Sequence, residues 1–372
     1  MLAGLTENPH PLLARLRESE PVSWVAALNA WLVTRYDLAV RVMRDPETFT
    51  VEDPRFSTAR VVGPSMLSLD GAEHARHREP FGAPFRRPAL RARFAAFIES
   101  QVAGLVAAIR PAGTAELRGE VAGPLAVAVV AEALGLSGVD SAMVRCWYAA
   151  IVEAVSDVTA GRAIAAPARA AVDGLRRAVE RSLAAPGPSV LAEAADRLSP
   201  AEIVSNAAVL LFGGIDTTEG MITNALLHLL THPEALAAVT ADPALLPDAV
   251  EESLRLEPAA AVVDRYATRD IALSGAPIRR GDLVTVSLAA ANRDPAVFPD
   301  PDRFDIRRPN ARAHLAFATG PHFCPGAQLA RTETVSVLRA LCTLPALHLP
   351  DPPTPHGLVF RKPVALPVRW SP

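Results

Sequence analysis

The spacing of apolar and polar positions predicts a mainly helical chain with small β-sheets. The strongest pattern opens at Ser199-Pro200-Ala201-Glu202. Ser199 suits an N-cap, Pro200 the first helical position, and Glu202 the closing member of a capping box. No further proline interrupts until Pro233. Ile203, Ala207, Leu210, Gly214, Thr217 and Met221 share one face by alternating steps of four and three. Ala and Leu at helical spacing also predict helix from about Ala89 to Leu136 and from 140 to 184, with Pro186-Gly187-Pro188 ending the second run. A short helix is expected over Leu38 to Arg44, after the β-rich Ala30-Trp31-Leu32-Val33-Thr34. Other strands are expected only late, around Ile278 to Val286 and Val364 to Trp370, and the proline-bearing Asp294 to Pro309 reads as an ordered loop. With no repeat and no low-complexity linker, residues 1–372 are expected to form one domain.

The long helix works against its own propensity at its centre. Gly213 and Gly214 each cost about 1 kcal/mol relative to Ala in a helix interior, and Asp216-Thr217-Thr218 follow at once. Close packing at the glycines beside a solvated acid would account for this, and so would a local need for an acid and two hydroxyls.

Composition narrows the class. Half of the 372 residues are hydrophobic, 21% are charged and mean hydropathy is +0.20, enough for a large core, so disordered and fibrous classes are excluded. Basic residues number 37 against 40 acidic ones, which gives no global signature for nucleic acid or an anionic membrane. Lys362 is the only lysine, which together with abundant alanine and 34 prolines suggests a genome composition bias. Cys146, Cys324 and Cys342 cannot build a disulfide framework and suit a reducing compartment. The N-terminal residues lack a signal-peptide pattern, and no uninterrupted apolar run reaches transmembrane length. A cytoplasmic globular protein is expected.

The sharpest chemical signal is Phe317-Ala318-Thr319-Gly320-Pro321-His322-Phe323-Cys324-Pro325-Gly326, just before an amphipathic run from Ala327 to Leu341. A cysteine at a helix N-terminus meets unpaired N–H groups and the positive end of the dipole, which favour a thiolate. A thiolate is a nucleophile or a soft metal ligand. Gly320 and Gly326 would let something broad and flat approach the backbone. An inert cysteine in a turn remains an alternative. Zinc would need about four ligands, and His322-x-Cys324 supplies two.

This segment resembles the cysteine-ligand loop of the cytochrome P450 family, with pattern Phe, Gly, x, Gly, x, His, x, Cys, x, Gly; Ala318 replaces the first glycine, and Pro325 stands where bacterial members often have Leu. Other family motifs follow in order. The acid–alcohol motif resembles Gly213 to Thr218, Glu-x-x-Arg matches Glu252-Ser253-Leu254-Arg255, and its partner arginine resembles Arg303 in Pro301-Asp302-Arg303-Phe304. Asn292 to Pro295, Arg265, and the His-x-x-x-Arg of His74 and Arg78 also fit.

The resemblance implies a mainly α fold with small sheets, shaped as a triangular prism with a long central helix over haem b. It implies Cys324 as the iron ligand, and His74, Arg78, Arg265 and His322 as contacts to the haem carboxylates, with Phe317 and Gly326 beside the cofactor. Asp216 and Thr217 would deliver protons, and a break in helix bonding at Gly213-Gly214 would make room beside the iron. Glu252, Arg255 and Arg303 would be scaffold. Electrons would come from a separate ferredoxin and ferredoxin reductase. Arg76, Arg78, Arg86, Arg87, Arg91 and Arg93, against Glu79 alone, would form either a docking strip or an ordinary solvated helix face.

The implied activity is a monooxygenase that uses O2 to oxidise a hydrophobic small molecule, most simply by hydroxylation, in secondary-metabolite biosynthesis. The same chemistry serves ring closure, coupling, desaturation or epoxidation. A non-catalytic haem- or ligand-binding protein is the alternative from another class. By family position, Met66, Leu67, Val209, Phe212, Gly213, Ala261, Val263, Val359 and Phe360 are the substrate-pocket candidates.

Overall fold

The computed structural model describes residues 2–371 apart from 87, 137 and 185–189, so the expected break at Pro186-Gly187-Pro188 lies outside the described residues. The principal helices are α1 (Gly71–Arg86), α2 (Pro88–Ile109), α3 (Gly123–Ala133), α4 (Ser141–Thr159), α5 (Ala166–Ala184), α6 (Pro200–Thr231), α7 (Leu246–Leu256) and α8 (Ala327–Leu341). The chain divides into two compact units. One gathers Met1–Thr50, Glu99–Ala122 and Thr217–Pro372, the other Val51–Ile98 and Gly123–Asp216, so the division falls within α6.

The first unit is built on a sheet. The strands are β1 (Val22–Val25), β2 (Ala30–Val33), β3 (Phe49–Thr50), β4 (Thr114–Glu116), β5 (Val262–Ala267), β6 (Ile271–Leu273), β7 (Ala276–Ile278), β8 (Leu283–Ser287) and β9 (Pro367–Arg369). Five of them form one sheet in the order β1-β2-β8-β5-β3, and β4-β9 and β6-β7 are separate pairs. The β1–β2 hairpin sets Trp24 opposite Trp31, ring centroids 5.4 Å apart. Its inner face joins the expected helix, observed as Tyr36–Arg44, in a core of Val33, Val42, Met43, Phe49, Val284, Val286 and Leu315.

Two sequence expectations need correction here. The run from Ala89 to Leu136 is not one helical region. Pro111 and Gly113 (φ 67°) end it, β4 follows, and a π-helical turn over Arg118–Ala122 leads into α3. Strand β5 was missed because its edge, Val262-Val263-Asp264-Arg265, alternates too briefly to separate from loop. One stretch among the described residues, Arg91–Ala112, is long and apolar enough on average to cross a membrane, but Arg93 and Glu99 interrupt it, as expected of a chain without an uninterrupted apolar run of that length. Lys362 is buried and pairs with Glu219 of α6 at 2.7 Å, and Arg118 joins the same carboxylate.

The second unit is helical. Phe81, Leu134, Trp147, Ile151, Leu175, Ile203 and Leu211 form its core. Helices α4 and α5 touch where Trp147 lies against Gly174; a Cβ on that glycine would fall 2.6 Å from the indole nitrogen. The expected run from 140 to 184 is therefore two helices, parted at Gly161 (φ 76°). Helix α6 starts as its sequence predicts. The Ser199 N–H donates to Glu202 Oε2 at 2.8 Å, and the Glu202 N–H donates to Ser199 Oγ at 3.4 Å, a reciprocal capping box.

Candidate active site

In the first unit, a tight turn presents Cys324. Its N–H donates to the Phe317 carbonyl at 2.9 Å, closing the loop from Phe317 to Cys324. The loop needs left-handed backbone at two places. Gly320 takes φ 75°, and a Cβ there would lie 2.8 Å from the Met43 carbonyl oxygen. Ala318 takes φ 57°, a conformation that disfavours a side chain by roughly 1–2 kcal/mol. Cys324 is half-buried, and α8 begins three residues later. By contrast, burial pushes the Cys342 thiol up to about 11. His322 is half-buried in the 3₁₀ turn Gly320–His322, Phe317 is half-buried, and a Cβ on Gly326 would meet nothing within 4 Å.

A buried charged lattice supports this turn. The Arg331 guanidinium lies 4.5 Å from the centroid of the Phe317 ring and pairs with Glu251, which also takes a hydrogen bond from His314 at 3.1 Å. Burial would raise the Glu251 pKa, but these bonds and the Arg331 charge hold it at about 2. Sequence reading missed Glu251; its only signal was a second acid beside Glu252.

Glu252 and Arg255 are fully buried, joined by two hydrogen bonds of 2.8 Å. Their third partner is Arg308, 3.1 Å from Glu252, and not the expected Arg303. Arg303 is exposed and contributes its carbonyl to Arg255 at 3.1 Å. The segment has no regular period, so spacing could not say which arginine turns inward. Asn292 completes the lattice: its carbonyl accepts from Arg255, and its Oδ1 accepts the Leu315 N–H at 2.6 Å.

Ala261, Val263 and Arg265 are spaced by two along and just before β5, so they share a face. Arg265 is buried and donates to the Asp264 carbonyl at 2.7 Å. The Ala261 N–H donates to the Val359 carbonyl, and Phe360 bridges Ala260, so Ala261, Val359 and Phe360 are neighbours. Val359 is itself 46% exposed.

In the second unit, His74 and Arg78 lie one turn apart on α1, with His74 buried and Arg78 half-buried. The turn carrying Met66 and Leu67 packs on the same apolar cluster as Val209, and the Met66 N–H donates to Asn206 Oδ1 at 2.9 Å. Along α6, exposure returns at the centre. Phe212, Asp216 and Thr217 are half-buried and Gly213 is exposed, between the buried Leu211 and Thr218. Steps of one, four and five put these residues on one side.

The expected break in helix bonding is absent: α6 is continuous through both glycines. They differ in what they allow. A Cβ on Gly213 would meet nothing within 4 Å, whereas one on Gly214 would fall 2.5 Å from Val130 Cγ2. Room beside α6 therefore comes from a missing side chain, while Gly214 lets α3 approach.

Two arginines of the strip are engaged in ion pairs. Arg76 pairs with Glu73 at 2.7 Å and Glu202 at 2.5 Å, and Arg93 pairs with Glu132. Arg91 is exposed; Arg87 and the side chain of Arg86 lie outside the described residues. Glu73, His77 and Glu202 come within metal-ligand range of one another, but the Arg76 guanidinium already supplies positive charge there.

A half-buried thiol offered from a glycine-shaped turn, with basic side chains on separate elements, is a donor set that fits haem. Comparison with known proteins agrees. Residues 187–342 match the family model described as Cytochrome P450. The chain is 37% identical to cytochrome P450 monooxygenase PikC of Streptomyces venezuelae, covering 98% of this chain and 91% of the relative. It is 34% identical to 6-deoxyerythronolide B hydroxylase of Saccharopolyspora erythraea, covering 90% and 88%. Among solved structures, CalO2 superposes with TM-score 0.89 at 30% identity, covering 98% of this chain and 96% of that one. P450BioI, solved with an acyl carrier protein ligated to hexadec-9Z-enoic acid, gives 0.88 at 28%, covering 98% and 99%.

Proposed function

The chain belongs to the cytochrome P450 family, and from that premise we propose that it hydroxylates a hydrophobic secondary metabolite, with Cys324 as the iron ligand. Proteins of this family bind haem b, which when bound supplies oxygen activation driven by two electrons. The observation that carries the assignment is the Cys324 turn, in which positive φ at Gly320 and the Cys324–Phe317 hydrogen bond present a thiol at the start of α8.

Each residue then has a physical role. Arg265, His322, His74 and Arg78 would offer donors and positive charge to the haem carboxylates. Phe317 would flank the ligand loop, held by Arg331, and Gly326 would leave the approach clear. Asp216 would hold a proton on its carboxyl group and Thr217 would pass one from its hydroxyl. Gly213 would keep their side of α6 open. Glu251, Glu252, Arg255 and Arg308 would fix the scaffold. Met66, Leu67, Val209, Phe212, Ala261, Val263, Val359 and Phe360 would exclude water from an apolar substrate.

The substrate class rests on relatives named for macrolide and other natural-product steps: mycinamicin IV hydroxylase/epoxidase of Micromonospora griseorubida, and HmtN, a post-tailoring hydroxylase of himastatin biosynthesis. Electrons come from separate redox partners, which we propose to be a ferredoxin and its reductase. Three cysteines with no disulfide suit the cytoplasm. The test is the absorption spectrum of the reduced, haem-replete protein under carbon monoxide. A strongly red-shifted Soret band, lost in Cys324→Ala, is expected; its absence from the parent protein overturns the proposal.

A further inference from the structure

We propose that Asn206 is the positioning residue of the Met66–Leu67 turn and that His77 locks it, so that a second proton on the His77 ring releases the turn. The consequence for substrate rests on the reading above, which puts this turn at the pocket.

Asn206 is fully buried in α6. Its Oδ1 accepts the Met66 N–H at 2.9 Å, and its Nδ2 donates to the Glu202 carbonyl at 2.8 Å and to His77 Nδ1 at 3.0 Å. A peptide N–H can only donate and a carbonyl can only accept, so the carboxamide has one allowed orientation and both its hydrogens are used. His77 Nδ1 must therefore be bare. The ring proton sits on Nε2, which faces Glu202 Oε1 at 3.3 Å. His77 itself is 1% exposed.

The charged groups around the ring are Glu202 from α6, and Arg76 and Glu73 from α1. The Arg76 guanidinium lies 3.3 Å from His77 Nε2 and binds both carboxylates. Hydrogen bonds from Arg76 and Ser199 hold the Glu202 carboxyl well below its usual range, so it stays an acceptor.

A proton on Nδ1 would set an N–H against the Asn206 N–H. The carboxamide would have to turn, and it would then offer NH2 to the Met66 N–H. That leaves a buried donor without its acceptor, which is unfavourable enough to shift a local equilibrium about ten-fold. The apolar side of the turn, packed with Val209, is untouched, so the release is local.

The test is hydrogen exchange of residues 64–69 by mass spectrometry on the haem-loaded protein, at pH 7.5 and pH 5.0, corrected for intrinsic rates. Wild type is expected to exchange about ten-fold faster at pH 5.0. His77→Gln restores an acceptor for Asn206 without a titrating group and should be slow at both pH values; His77→Leu should be fast at both. An acid response that persists in His77→Gln, or equal exchange in all three proteins, overturns the lock. Binding of 4-phenylimidazole, read from the Soret shift, should weaken in His77→Leu. Exchange as expected with unchanged azole affinity supports the lock and overturns the placement of the turn at the pocket. Absence of a thiolate-haem spectrum would instead overturn the proposed function.

Discussion

Adding one methyl group at two adjacent positions on α6 should stabilise the protein at the first and not at the second. Replacing Gly213 with Ala recovers about 1 kcal/mol of helix propensity. The new Cβ meets nothing within 4 Å, so nothing opposes the gain. Gly214→Ala has the same propensity gain, but its Cβ falls 2.5 Å from Val130 Cγ2. Val130 is buried in α3 and β-branched, so one χ1 rotamer dominates and the side chain cannot swing aside freely. Overpacking of this kind costs about 1–3 kcal/mol. Gly214→Ala should therefore lie between neutral and about 2 kcal/mol destabilised, leaving the variants about 1–3 kcal/mol apart. Urea unfolding followed by circular dichroism reads that gap. The double variant Val130→Ala/Gly214→Ala should regain part of the loss, because the clashing methyl is gone. Equal midpoints for the two single variants, or a Gly213→Ala protein weaker than wild type, would refute the reasoning.

Three further outcomes follow from the scaffold. Arg308→Ala, which leaves buried Glu252 with Arg255 as its one guanidinium partner, should lower the thermal midpoint more than Arg303→Ala, whose side chain is exposed; Glu252→Ala should cost about 3–5 kcal/mol by leaving the buried Arg255 charge without a carboxylate. Gly320→Ala forces a side chain into φ 75° and against the Met43 carbonyl, so a loss above about 2 kcal/mol and a weakened thiolate-haem band are expected in unfolding and carbon monoxide spectra. Glu251 is held at about 2 in the folded protein, against an ordinary 4.5. Its depressed value gives stability that is present above pH 4.5 and lost as pH falls toward 2, on the order of 3 kcal/mol in all. Urea midpoints between pH 5 and pH 3 should therefore fall less steeply in Glu251→Gln than in wild type.

What could be read in advance was what local spacing specifies. The capping box at Ser199, the helix after Cys324 and the irregular Asp294–Pro309 each depend on residues within a few positions. What depends on returning chain could not be read. Arg308 rather than Arg303 faces Glu252 because an aperiodic loop decides it, and His77 gains its role only by meeting Asn206, 129 residues away. The glycine pair sits between these cases. Its cost to helix propensity was visible, but only the position of Val130 separates a packing glycine from an opening one.

Lys362 has a practical consequence. It carries the only side-chain amine in the chain, and folding buries that amine against Glu219. Amine-directed labels, cross-linkers and solid supports thus have no accessible lysine handle on the native enzyme. Acylation of that nitrogen becomes instead a one-hit clock for opening of the C-terminal segment, countable as one further mass increment beyond that of the α-amine.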